Sequence, residues 1–386
     1  MRFAFCLFKY FPYGGIQRDL VKFLNASRAR GHCVRVYVIT WEGAEPEGVD
    51  VVRIAVSAVT NHRRYEQFAA AVARDLQARP VDLVIGLNKM PGLDVYYAGD
   101  SCFEEKARNQ RGMLYRLTPR YRSFRAAEHA VFDPAAGTRI LTISDVYTPF
   151  FRIYYGTPAE RFFRLPPGIE RSRAAPVDVT ERTCRRRAMR DGLHVGEADR
   201  LLLFIGSGFI KKGLDRVLLG LKHLPADLCA NTRLVVVGHD NAEPFRRMAL
   251  RLGVQAQVQF FDRGRDDIPD LLLAGDALVL PAYDENAGMV ILEAMIAGLP
   301  VLATANCGYA HYISDCGGGL VTPVPFTQAR FDRDLVEILT SADRAGWQAA
   351  GRQLAQDATI YALAETAVAL FERFVTERRE PCECAG

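Results

Sequence analysis

Twice along the chain, apolar runs of strand length alternate with segments of helical spacing, and each run ends in a glycine-rich or charged stretch. Apolar runs that are not interrupted by polar residues at every second position suit strands covered on both faces, so the pattern predicts parallel α/β architecture. The first series predicts strands near 3–8, 34–39, 81–87, 94–98 and 139–143. A Pro/Gly-bearing crossing, "RLPPGIE" at 164–170, separates it from a second series near 200–206, 233–238, 258–261, 277–282 and 300–304. A chain of 386 residues suits two such domains better than one core. The expected layout is two doubly wound, Rossmann-like domains, 1–166 and 167–360, facing across a cleft. A C-terminal helix from about 361, "YALAETAVALFERFVTERR", packs back on the first domain and leads into a tail ending at 386.

Composition excludes several classes. Hydrophobic residues at 49% and charged residues at 24% match a folded globular chain. The longest apolar stretches are too short for a membrane-spanning helix. The opening "MRFAFCLFKYFPYGG" is broken by Lys9 and reads as a first strand, not a secretion signal. Nine cysteines without repeated ligand spacing read as reduced thiols of a cytoplasmic protein, and Cys382 and Cys384 form a lone CxC in the tail. A net charge of +4 does not by itself imply nucleic acid, and none is expected as a partner. The sequence carries no signal of oligomeric state.

In doubly wound sheets, ligands bind beyond the carboxyl ends of the strands. After the first strand, Gly14 and Gly15 precede a helix expected over 16–30, whose free amides can face an anion. A glycine pair also serves simply as a tight turn, and the motif is not GxGxxG. Asp19, beside Arg18, can reach a ligand hydroxyl or form a surface ion pair. In the second series, "GSGFIKKG" places Gly206, Lys211 and Lys212 just past a strand, where two cations can offset the charge of a diphosphate or stand on a solvated face. It is not a Walker loop.

The most informative stretch is "PAYDENAGMVILEAMIAGLPVLAT", 281–304. Asp284 and Glu285 lead through Asn286, Ala287, Gly288 and Met289 into an apolar helix that carries Glu293. Amides at 287–289 can point at an anion, with Glu285 on one side and Glu293 on the other. Were the intervening residues all helical, the acids would stand about 12 Å apart, the scale of a sugar, a diphosphate and a ribose. Carboxylates accept hydrogen bonds from vicinal hydroxyls. The alternative, a helix with one acid on its solvent face, fits poorly with a helix apolar on nearly all sides.

"ENAGMVILE" matches the E-x7-E motif of retaining glycosyltransferases of the GT-B fold, and its surroundings resemble glycosyltransferase family 4. "NKMPGLDVYYAGDSC", "LYRLTPRYR", "LPPGI", "KKGLDR" and "CGYAHYI" extend the likeness, from residue 1 to about 320, to the lipopolysaccharide-core glucosyltransferases of Gram-negative bacteria. The resemblance implies transfer of glucose from UDP-glucose to an inner-core heptose, with retention, by an enzyme peripheral on the inner face of the inner membrane. It implies that Glu285 holds donor-sugar hydroxyls, Glu293 the ribose, and Lys212 with Lys211 the diphosphate, beside Gly14, Gly15, Arg18 and Gly206. Asp19 and Asp100 become candidates for placing the sugar or the acceptor hydroxyl. An apparent one-residue insertion in "FFDRGRDD" leaves both Arg263 and Arg265 as candidates near the base. No D-x-D follows an apolar strand, since Asp332 and Asp334 open a late helix, so neither metal nor cofactor is expected. Two alternatives stay open: another donor (UDP-galactose, UDP-GlcNAc or GDP-mannose), or a non-catalytic basic protein that binds membrane or RNA.

Residues 106–125 hold seven cations and no acid: Lys106, Arg108, Arg111, Arg116, Arg120, Arg122 and Arg125. Thr118 and Pro119 form a good helix start, and Leu114, Leu117, Tyr121 and Phe124 recur near helical spacing. Cations beside exposed aromatic and aliphatic residues suit an anionic membrane surface; the same features also fit RNA or a plain solvated helix.

Overall fold

The computed structural model describes residues 1–12, 14–261 and 267–379. Arg263, Arg265, Cys382 and Cys384 therefore lie outside the described residues. The chain forms two compact units, one of Met1–Gly168 with the chain from Ala362 onward, the other Ile169–Tyr361.

In the first unit, seven parallel strands lie in the order Asp50–Arg53, Cys33–Val38, Arg2–Cys6, Leu83–Gly86, Val95–Ala98, Arg139–Thr142, Phe162–Arg164. The Arg2–Cys6 strand shows why this segment folds as it does. Ala4 and Cys6 face a core containing Tyr37, Phe68, Tyr96 and Phe132. Phe3 and Phe5 face the other way and meet Phe371, ring centroids 5.8 and 6.0 Å apart. Residues on both sides are buried, which is what an unbroken apolar run requires.

Phe371 belongs to the C-terminal helix Leu363–Arg379, which completes this unit. Its ring also packs on Phe23 of the first helix, Gly15–Ala29, at 6.2 Å. Polar contacts fix the helix along its length: ion pairs join Glu372 to Arg30 (2.8 Å), Glu377 to Arg139 (2.7 Å) and Arg378 to Asp94 (2.6 Å), and a hydrogen bond joins Glu372 to His32 (2.7 Å).

The second unit repeats the design with six parallel strands, ordered Val258–Phe261, Thr232–Val237, Arg200–Ile205, Ala277–Leu280, Val301–Thr304, Gly319–Thr322. Leu201, Leu202, Leu203 and Phe204 are completely buried. In both sheets the chain order reverses beside the first strand of the series, which sets the crevice where ligands of such sheets bind. In the second unit that point lies between Arg200–Ile205 and Ala277–Leu280.

The doubly wound parallel architecture expected from the alternation is the one the chain adopts. Asp50–Arg53, Phe162–Arg164 and Gly319–Thr322 were not among the expected strands. Each closes a sheet edge and is only partly buried, so its sequence lacks the long apolar run of a central strand. Asp332 and Asp334 lie within a late helix, Gln328–Thr340, but past its first turn instead of opening it, and both have partners: His223 holds Asp332 (2.7 Å), and Thr322 and Arg330 hold Asp334 (2.7 Å each).

Phe371→Ala removes the ring shared by the strand, the first helix and the C-terminal helix. Loss of about 3–5 kcal/mol is expected, measured by urea unfolding; a loss below about 1 kcal/mol would show that the helix is not a working part of this core.

Candidate functional site

At the switch point of the second unit, the segments after two neighbouring strands converge. Arg200–Ile205 leads to Gly206, at φ 132°, where an added Cβ would stand 2.8 Å from Lys212 Cε. Only glycine fits both that backbone and that contact. The following turn is pinned by Asp240, which accepts from the Phe209 amide at 2.7 Å, and by Ser207, whose hydroxyl accepts from the His239 amide at 3.0 Å. One short helical turn, Phe209–Lys212, then presents both lysines.

The loop after Ala277–Leu280 is bound to this turn. The Tyr283 amide donates to Lys211 O at 2.8 Å, and the Tyr283 hydroxyl to Asp215 at 2.7 Å. Arg216 lies 3.5 Å from the Tyr283 ring centroid and 3.7 Å from that of Phe326, while donating to Pro281 O at 2.9 Å. From the other side, the amides of Gly308 and Tyr309 donate to Glu285 O (3.1 Å) and Ala287 O (2.8 Å).

The result is an ion pair between Lys212 Nζ and Glu285, both side chains 15% exposed, with Lys211 and Asp284 3.7 Å apart beside it. Burial pushes the Glu285 carboxyl up, but the Lys212 ammonium and then Lys211 outweigh it, so the carboxyl lies below its ordinary value. Burial first, and then the Glu285 charge, push the Cys307 thiol up to about 11. A cation held by one exchangeable carboxylate, at the carboxyl end of a parallel sheet, can meet an incoming anion without being built anew.

Gly288, at φ 81°, is the N-cap of the helix Met289–Ile296. Its conformation turns the chain from the loop into the helix, and the next four positions through Leu292 separate it from Glu293, which is 7% exposed. Residues 285–288 are not helical, so the 12 Å spacing that assumed a continuous helix does not apply. Asn286 and Ala287 are buried beside this turn. Glu293 is also buried, in place of the solvent-facing acid of the alternative reading.

The first unit gathers its own group. Gly14 caps the helix Gly15–Ala29, with the Arg18 amide donating to Gly14 O at 3.0 Å. Gly99 lies against this helix start, since a Cβ there would be 2.8 Å from Ile16 Cγ1, and Asp100 follows directly. Asp19 is not part of a surface ion pair. It is 3% exposed, accepts from the Tyr97 hydroxyl at 2.7 Å and stands 3.5 Å from Lys22. Its Oδ1 is buried without a hydrogen bond, and burial, against the pull of Lys22, raises its carboxyl above the ordinary value. The structure thus brings Gly14, Gly15, Arg18, Asp19 and Asp100 to one end of the first sheet, and Gly206, Lys211, Lys212, Glu285, Asn286, Ala287, Gly288, Met289 and Glu293 to one end of the second. Asp240 and Arg216, which hold the second group in place, were not singled out from sequence. "GHDNAE" following an apolar strand was the available signal for Asp240.

The basic segment folds as a helix Phe103–Asn109, a helical turn Met113–Leu117 and a helix Pro119–Phe132. Thr118 accepts from the Tyr121 amide at 3.2 Å, as a cap should. Two buried acids anchor it. Glu128 accepts from Lys89 (2.6 Å), the Phe103 and Glu104 amides (2.8 and 2.9 Å) and the Tyr155 hydroxyl (2.6 Å). Glu104 takes Arg108 (2.6 Å) and lies 3.6 Å from Arg125. Tyr121 corrects an expectation: it is buried, donating to Glu104 at 2.7 Å, because a nearby carboxylate in the core satisfies its hydroxyl. The exposed apolar residues are Met113, Leu114 and Leu117, at 86, 79 and 67%. Arg111, Arg116, Arg120 and Arg122 are exposed around them, with Arg120 over the half-buried Phe124 ring at 5.1 Å and Lys106 half-buried. Among the described residues, no helix is long and apolar enough to cross a membrane, and no group of three or more His, Cys, Asp and Glu is arranged to hold a metal ion.

Two sheets of this topology, with a cation and an acid at the second switch point, are the arrangement expected of the GT-B class of glycosyltransferases. Residues 185–354 match the family model described as glycosyl transferases group 1. The lipopolysaccharide glucosyltransferase WaaG of Escherichia coli K12 is 44% identical over 365 residues, 94% of this chain and 96% of the relative. A crystal structure of WaaG, described as a glycosyltransferase involved in lipopolysaccharide biosynthesis, superposes with a TM-score of 0.89 at 43% identity, covering 95% of this chain and 99% of that one. Sucrose-phosphate synthase from Thermosynechococcus elongatus shares the fold alone, with a TM-score of 0.76 at 17% identity over 97% of this chain and 99% of that one. The chain belongs to the glycosyltransferase family of these WaaG relatives, and the resemblance read from its motifs is borne out.

The Lys212–Glu285 pair carries a pH signature. Because the folded Glu285 carboxyl lies below its unfolded value, the stabilisation is complete above the ordinary carboxylate range and is lost as pH falls through the folded value. Glu285→Gln is expected to be roughly 1–3 kcal/mol less stable than the parent near neutral pH, with the gap closing as the pH falls below the ordinary carboxylate range. Thermal unfolding across that range measures it, and a gap unchanged with pH contradicts the assignment.

Proposed function

We propose that the protein transfers glucose from UDP-glucose to a heptose of the lipopolysaccharide inner core, with retention of configuration and without a metal ion, at the cytoplasmic face of the inner membrane. The observation that carries this reading is the Lys212–Glu285 pair at the second switch point. The relative that is 44% identical over nearly the whole chain is a lipopolysaccharide glucosyltransferase, which supports glucose as the transferred sugar and lipopolysaccharide as the acceptor.

On this reading Lys212, with Lys211, faces the diphosphate, and Glu285 exchanges the ammonium for hydroxyls of the donor sugar. Glu293 accepts from the ribose hydroxyls, and the amides at Ala287, Gly288 and Met289 add partial positive charge near the phosphates. The acceptor hydroxyl attacks the anomeric carbon on the face from which the diphosphate departs. As the carbon–oxygen bond to phosphate breaks, a departing phosphate oxygen takes the hydroxyl proton. Charge on that diphosphate grows toward the transition state, so Lys212 stabilises it more there than in the bound donor. Asp19 and Asp100, on the first unit, are assigned to placing the acceptor.

For Lys212→Ala, kcat is expected to fall about 10²–10³-fold with the fold intact. The assay is product analysis after incubation with lipopolysaccharide truncated at the heptose region. UDP-glucose, UDP-galactose, UDP-GlcNAc and GDP-mannose are offered in parallel, with and without a chelator. Transfer of glucose with retained anomeric configuration, insensitive to chelator, supports the proposal. A different preferred sugar, chelator inhibition, or a glycosyl group trapped on a carboxylate overturns the corresponding part.

The exposed Met113, Leu114 and Leu117 among arginines support contact with an anionic membrane. Each such cation contributes about 1 kcal/mol near a charged surface. Changing Arg116, Arg120 and Arg122 together to Ser is therefore expected to weaken binding to anionic vesicles roughly a hundredfold, leaving donor binding unchanged. Equal vesicle binding by variant and parent removes this part of the reading.

A further inference from the structure

The second sheet has another charged end. Asp276 precedes the strand Ala277–Leu280, Arg200 opens Arg200–Ile205, and Gly298 stands just ahead of Val301–Thr304, so these residues mark the amino ends of the strands, opposite Lys212 and Glu285. A cavity of about 540 Å³ opens there, lined by Arg182, Arg186, Arg200, Arg344 and Arg352 against two acids, Glu197 and Asp276. Five guanidiniums facing two carboxylates leave three positive charges in excess.

Part of this arrangement is structural. Asp276 is 3% exposed and takes Arg186 at 2.7 Å, Arg190 at 3.1 Å, Arg344, and the Leu201 amide at 2.7 Å. Arg186 also donates to the carbonyls of Leu273, Ala274 and Gly275, closing the helix Ile268–Ala274 at its negative end. That accounts for Arg186 and Arg190.

It does not account for Arg182, Arg200 and Arg352. Arg182 donates to the carbonyls of Pro176 and Val177, and Arg200 to Leu339 O at 3.3 Å. Among the described residues none of the three forms an ion pair with an acid. Arg352 lies against Gly298, whose added Cβ would be 2.8 Å from its guanidinium. Burial, and then the like charge of Arg182, push Arg352 below the ordinary guanidinium value. Cations that line one recess without an ion pair of their own among the described residues are a disadvantage to the isolated fold that a bound anion relieves.

We propose that this cavity is a binding site for a small, soluble phosphate-bearing anion of the pyrophosphate class, separate from the donor site. Guanidinium forks match pairs of phosphate oxygens in geometry as well as in charge. A diphosphate also carries negative charge close to the excess of three on the wall. The same chemistry occurs on a phospholipid headgroup, so the test separates the two sources.

Isothermal titration of the full-length chain with inorganic pyrophosphate is the direct measurement. Arg352→Gln and Arg182→Gln are each expected to weaken binding about tenfold or more, whereas Lys212→Gln, at the other end of the sheet, leaves this binding in place. Unfolding midpoints verify that each variant folds. Should the glutamine variants fail to fold, Arg352→Lys keeps the charge but loses the fork and is expected to bind several-fold more weakly. Binding that is indifferent to Arg352 and Arg182, or that disappears only in Lys212→Gln, overturns the proposal. A second arm uses phosphatidate vesicles: Arg352-dependent vesicle binding with no uptake of soluble pyrophosphate would assign a headgroup and likewise overturn it.

Discussion

One ion pair organises the candidate site, between residues that stand far apart in sequence and meet because two neighbouring strands of a parallel sheet end together. Lys212 and Glu285 are mostly withdrawn from water. Such a pair is costly to bury unless its geometry is fixed, and a surviving partner is left exposed to a large penalty when the other is removed. The fixing is visible on every side: Asp240 and Ser207 hold the lysine turn, Arg216 and Tyr283 join that turn to the acidic loop, and the amides of Gly308 and Tyr309 close the loop from behind. The pair is therefore held in one geometry by its surroundings, which is the condition the proposed exchange requires.

The same economy recurs in the first unit. Buried carboxylates there hold surface-building segments in position. Glu128 gathers the amides at the start of Phe103–Asn109, and Glu104 holds Arg108 and the inward-turned Tyr121. The exposed Met113, Leu114 and Leu117 are thereby displayed on a scaffold anchored from below. In the second unit, charge is distributed to both ends of one sheet. At the carboxyl end each lysine faces an acid, while at the amino end arginines outnumber acids.

The alternation of apolar runs was enough to place the central strands, because a strand covered on both faces must be apolar throughout. Three edge strands, Asp50–Arg53, Phe162–Arg164 and Gly319–Thr322, escaped, since partial exposure shortens the apolar run, whereas the edge strand Val258–Phe261 kept enough apolar residues to be placed. Gly206, Lys212, Glu285 and Gly288 were legible from the rule that ligands gather at strand ends, together with the motif around Glu285. The pairing of Lys212 with Glu285 was not, because sequence periodicity carries no information about which strands become neighbours. Nor did helical spacing distinguish Tyr121, turned inward to Glu104, from Leu117, turned outward; the acid that decides it lies just ahead of the basic run. The all-helical condition behind the spacing drawn from Glu285 to Glu293 fails for a local reason: Gly288 is left-handed and the helix begins only at Met289.

A structure of the protein with UDP-glucose bound tests the central claim most directly. The account predicts diphosphate oxygens within hydrogen-bond distance of Lys212 Nζ, Glu285 turned from the lysine to the sugar hydroxyls, and Glu293 on the ribose. A nucleotide bound elsewhere, with the Lys212–Glu285 contact undisturbed, would contradict it.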